Sequence, residues 1–126
     1  MSGYAGDRTT GFASPAADDI EGPIDLSEAL DLRRPSRYPV RVSGATFAAR
    51  GILPDDVLVV DTSVTAVHGS LVVASVAGRS MLAELRKTGR RWHLHSGDGC
   101  RPPVEVAESS DVEIWAAVTG VVRLVV

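Results

Sequence analysis

The sequence predicts a mostly β domain behind an extended N-terminal arm. Three observations carry this reading. Short valine-rich runs recur from Tyr38 onwards, glycine-containing turn signals separate them, and the composition changes near Pro35. Before that point, residues 1–35 are rich in Gly, Ala, Ser, Asp and Thr with little periodicity, so they read as an arm. Residues 36–126 read as the β domain.

Within the arm, Ile24–Leu30 offers one short helical turn, with Asp25 or Ser27 as its cap and Ile24, Leu26, Ala29 and Leu30 as its apolar residues. Arg34 precedes Pro35 and is pushed out of the α region, which ends the turn. Tyr38–Val42 is the first strand expected. Ala45–Arg50 is a small Ala-rich helical turn closed by Gly51. Val57–Val60 is continuously apolar, as a strand buried on both faces would be. Leu71–Val76 and Ser80–Arg86 flank Ala77-Gly78-Arg79 and read as a hairpin. Thr88-Gly89-Arg90 turns into Arg91–His95, and Ser96–Gly99 is loop. Val112–Val126 is a long apolar strand interrupted at Gly120, where a bend is expected. If left as an open edge, such a run would invite association, so it is the expected dimer surface.

The charge balance narrows the function. Thirteen Lys and Arg against sixteen Asp and Glu give a net charge of −3, which argues against tight autonomous nucleic-acid binding through bulk charge and leaves room for a local basic patch. A lone cysteine, Cys100, excludes an intramolecular disulfide and a multi-thiolate zinc site. Cys100 sits in a surface loop and is expected to be unreactive. Neither a secretory leader nor an apolar run near the roughly 20 residues of a membrane span is visible. The expectation is a cytoplasmic protein without a cofactor.

Several short strings then occur in one order: Phe12-Ala13-Ser14-Pro15-Ala16-Ala17-Asp18, Ile24-Asp25-Leu26, Val42-Ser43-Gly44, Gly51-Ile52, Asp56–Asp61 and His68-Gly69. Together they resemble the LexA/UmuD-type self-cleaving peptidase family, and within it the UmuD branch of translesion polymerase accessory subunits. The likeness runs from about Thr10 to Arg123. It implies a compact β domain whose serine nucleophile and lysine base cut the arm before a Gly-Phe pair, stimulated by an activated RecA filament. The shortened protein then forms a homodimer that joins a UmuC-like Y-family polymerase in the SOS response. A repressor's helix-turn-helix domain is not expected, because the arm lacks two successive amphipathic helices.

The residues at the matching positions depart from that chemistry. The nucleophile position after Ser43-Gly44-Ala45 is Thr46, and the lysine position is Ala83, 37 residues later as in the family. A threonine hydroxyl can attack in principle, although its methyl group crowds the approach. Alanine cannot accept a proton. Glu84 points to the opposite strand face, Lys87 lies about 13 Å along the strand, and Arg86 cannot act as a base. His68 reads as turn structure, while His93 and His95 share one strand face that is expected to be polar surface and not a metal site. Ser43 reads as a turn serine capping the short helix, and Phe47 as a wall residue of the pocket. The cleavage-site-like residues are Thr10, Gly11 and Phe12, and the ten residues before Gly11 are shorter than a family pro-arm. The resulting expectation is a homodimeric accessory subunit, made close to its mature extent, that does not cut itself. The competing expectations are an atypical peptidase using Thr46, or an inactive partner that damps an active family member.

Overall fold

A computed structural model of the chain describes residues 19–108 and 110–125. Thr10, Gly11 and Phe12 lie outside the described residues. The first element is the helical turn α1, Leu26–Ala29. Its cap is Asp25, whose carboxylate accepts from the Glu28 amide at 3.2 Å. Seven strands follow: β1 Arg37–Arg41, β2 Val57–Asp61, β3 Leu71–Val76, β4 Arg79–Thr88, β5 Arg91–His95, β6 Val104–Val106 and β7 Val112–Val122. They form one sheet in the order β1-β2-β7-β3-β4-β5-β6, with every neighbouring pair antiparallel.

Turn chemistry sets much of this connectivity. Ala77 and Gly78, with φ of 51° and 82°, join β3 to β4. Positive φ at both central residues matches the twist of the flanking strands. Gly89 takes φ 64° at the first position of the two-residue turn between β4 and β5, again a conformation that glycine adopts without a steric penalty.

The terminal strand is central and not an edge, which corrects the expectation drawn from its sequence. β7 pairs with β2 on one side and β3 on the other, so its backbone groups are already taken up in ladders. The physical reason is that a strand's place in the sheet depends on pairing with strands distant in sequence, which a local apolar pattern does not specify. The open edges of the sheet are β1 and β6. β7 accommodates its length through two bulges. Thr119 is the extra residue opposite β2 and donates its hydroxyl to the Val59 carbonyl at 3.1 Å. Trp115 is the extra residue opposite β3 and lies beside Tyr38 with ring centroids 5.4 Å apart.

Each sheet face carries its own apolar cluster. On one, Val42, Phe47, Ile52, Leu58, Val60 and Ala116 are buried together. On the other, Val72, Ala74, Ala83, Leu85 and Leu94 pack. The end of α1 reaches the first strands: Arg37 donates to the Leu30 carbonyl at 2.7 Å, and a Cβ built on Gly120 would lie 3.1 Å from Leu30 Cδ2. The last part of the arm is thus tied to the sheet. Among the described residues no helix is long and apolar enough to cross a membrane.

Candidate functional site

The segment between β1 and β2 holds the residues singled out in sequence. Val42 continues the β1–β2 pairing: its amide donates to the Asp56 carbonyl and its carbonyl accepts from Asp55, both at 2.8 Å. The chain then leaves the sheet through Ser43 and Gly44 and closes in a 3-10 turn over Ala48–Arg50. Gly51 ends this turn in the left-handed region at φ 81°, as the glycine position foretold. Ser43 does not cap it. The N-cap is Phe47, with no side-chain capping bond, because the helical turn begins later than Ala45.

Thr46 is half-buried and lines a cavity of about 500 Å³. Phe47, only 1% exposed, forms its wall as expected, with Ile52, Leu58, Val73 and Leu82. Ser43, Ser80 and Ser96 add hydroxyls, and Arg41 and Arg101 are the ionisable groups among the described lining residues. Neither arginine can take a proton from a hydroxyl.

Ala83 is fully buried but does not belong to that lining. It pairs with Val72 and packs in the second cluster. Strand alternation sends its neighbour Leu82 to the face of Phe47. Glu84 shares the face of Leu82 and approaches Arg50 of the 3-10 turn at 3.8 Å. Glu84 also accepts from Arg86 at 3.2 Å, and that bond holds its carboxyl below the usual range. His95 lies opposite Glu84 in the register, and burial lowers its pKa. His93 and His95 do share a face, their ring centroids 6.4 Å apart. Among the described residues no group of His, Cys, Asp and Glu is placed to hold a metal ion. His68 accepts from the Lys87 amide through Nδ1 at 2.9 Å, a structural bond that ties the loop before β3 to β4. Cys100 is exposed in the loop after β5.

Two buried carboxylates, Asp56 and Asp61, brace the two ends of β2. Asp56 accepts from Arg123 Nε and a terminal guanidinium nitrogen, both at 2.7 Å, and from the Leu53 amide at 2.8 Å. The Arg123 bonds, then the Leu53 bond, hold its pKa at about 2. Arg123 also donates to the Gly51 carbonyl at 2.6 Å, so one side chain from beyond β7 fastens both ends of the Gly51–Asp56 loop. Asp61 is fully buried and accepts from the Ser63 hydroxyl at 2.7 Å, the Ser63 amide at 2.8 Å and Arg37 at 3.0 Å. These bonds, that of the Ser63 hydroxyl foremost, hold it well below the ordinary carboxylate range. Sequence reasoning missed Arg123, because nothing local marks an arginine as the partner of an aspartate 67 residues away. It also missed Gly97. A Cβ there would collide with the Thr46 carbonyl oxygen and lie 2.6 Å from Phe47 Cδ1, so the β5 exit loop rests directly on the Thr46–Phe47 backbone.

A protein-family model described as Peptidase S24-like matches residues 4–119. The chain is 35% identical over 112 residues to Protein MucA of Salmonella typhimurium, covering 88% of this chain and 76% of that protein. It is 31% identical over 121 residues to the LexA repressor of Clostridioides difficile, covering 95% of this chain and 56% of that protein. It is 33% identical over 75 residues to Protein ImpA of Salmonella typhimurium, covering 60% of this chain and 52% of that protein. The mostly β sheet, the extent of the family match and the identity to these relatives together establish that the chain belongs to the Peptidase S24-like family, the LexA/UmuD type that its motifs resemble.

Proposed function

We propose that this chain is a homodimeric accessory subunit of a UmuC-like Y-family translesion polymerase in the bacterial SOS response, acting in the cytoplasm without cutting itself. The observation that carries the non-enzymatic half is the environment of Thr46. Thr46 lines a cavity whose described ionisable lining consists of two arginines, while Ala83, where the family resemblance places the lysine, is buried in the other cluster and outside that lining. An alcohol without a base is a weak nucleophile near neutral pH. The relatives MucA and ImpA support the UmuD-like half of the reading, as does the FxSPAAD string of the arm. The dimer would form through surface other than the edges of β7, which are occupied within the sheet.

The deciding experiment is intact-mass spectrometry of the full chain after prolonged alkaline incubation, with and without activated RecA filament. The expected mass is unchanged. Loss of the ten residues before Gly11 in the chain alone would overturn the non-enzymatic reading. Co-purification with the Y-family polymerase of the same genome tests the accessory role, and failure of the two to associate would refute it.

A further inference from the structure

The β4–β5 hairpin concentrates positive charge that the cavity and its frame do not use. Arg86, Lys87, Arg90 and Arg91 lie within six consecutive positions and are all exposed. The rest of the chain carries nine basic against sixteen acidic side chains, so this tip stands out from an otherwise acidic molecule. Glu84 engages Arg86 at 3.2 Å. Among the described residues, Lys87, Arg90 and Arg91 take part in no ion pair. Lys87 lies over the Trp92 ring, its ammonium 5.4 Å from the centroid, so a half-buried ring that also packs against the second cluster lies beside this cation.

We infer that this hairpin tip is a weak, sequence-independent contact for the phosphate backbone of single-stranded nucleic acid. Neighbouring cations at a narrow tip match a ligand whose charges repeat at every unit, and arginine forks bind phosphate oxygens in pairs. An aromatic ring beside them offers a base a surface to stack on. An acidic protein segment carries its charges at irregular spacing, whereas a phosphate backbone repeats them at every unit. The inference rests on charge placement and the ring beside Lys87, and it stands apart from the polymerase reading. It is compatible with an overall acidic chain, because three contacts give weak binding and not tight binding.

The test is fluorescence anisotropy of a labelled oligothymidylate titrated with the full chain at increasing salt. Three phosphate contacts on a single strand predict a log–log salt slope of about −2, which means about twenty-fold weaker binding at 200 mM than at 50 mM salt. The R90A/R91A variant is expected to lose most of the binding and to flatten the slope to about −0.7. Its thermal unfolding midpoint should match that of the native chain, since both side chains are exposed. Three results would overturn the inference: no salt-dependent binding by the native chain, an unchanged slope in R90A/R91A, or equally tight binding to poly-L-glutamate of matched charge, which would assign the tip to an acidic protein.

Discussion

Replacing Gly97 by alanine is expected to destabilise the domain by about 1–3 kcal/mol, the usual cost of forcing extra volume into a packed site. The magnitude follows from what the new methyl group meets. It would collide with the Thr46 carbonyl oxygen and lie 2.6 Å from Phe47 Cδ1 and 2.7 Å from Cγ. Carbon atoms rest at about 3.5–4.0 Å, so the ring would have to retreat by about 1 Å. Phe47 is 1% exposed and packed among Val42, Ile52 and Leu58, and its obstacle on the other side is backbone. Strain in φ is not involved, because Gly97 is absent from the positive-φ glycines. The assay is thermal unfolding, where the cost corresponds to a midpoint lower by about 3–10 °C. Gly44→Ala is the matched control: a Cβ there meets nothing within 4 Å, and its φ is not positive. A Gly97→Ala midpoint within about 1 °C of the native chain would refute the reasoning and show that the β5 exit loop does not press on Thr46 and Phe47.

Two further outcomes follow from the buried groups. Asp56, held at about 2 against an ordinary 3.8, contributes stability that is complete above pH 3.8 and is lost as pH falls towards 2. The unfolding midpoint should therefore drop over that window, and Arg123→Gln should flatten the drop; an equal drop in the variant would remove Arg123 as its cause. Ala83→Lys would place an ammonium in the second cluster and is expected to cost about 3–5 kcal/mol at neutral pH, as an uncompensated buried charge does. Burial lowers the pKa of such a lysine, so the variant should regain stability as pH rises through its folded value towards its ordinary one. Native-like stability at neutral pH would mean that the amine reaches a polar site, and the Thr46→Ser, Ala83→Lys double variant should then be assayed for cleavage before Gly11.

Most strands were legible because their signals are local. Leu71–Val76 and Arg91–His95 appear with the expected bounds. The Ala77–Gly78 turn and the Gly51 cap fall where glycine is required. β6, a three-residue strand, carries too short a pattern to be seen. The Ser43 cap failed for a related reason, since the 3-10 turn begins at Ala48, three residues further on than its Ala-rich run suggests. In the site, Thr46 and Phe47 could be picked out by motif order, whereas Gly97 and Arg123 could not, because their partners are distant in the chain, and Ala83 lies in the other cluster, away from the cavity lining.

By itself the sequence determined the β class and the turns, which are properties of residue type and short spacing. Only the tertiary structure decided which strand lies at the centre, which face each side chain serves and what surrounds Thr46. Pairing order depends on ladders between strands distant in sequence, as for β7 between β2 and β3. The face of a residue follows from a register in which a slip of one position exchanges the two sides. The register that pairs Ala83 with Val72 is therefore what places it in the apolar cluster beneath the sheet, away from the lining shared by Thr46 and Leu82.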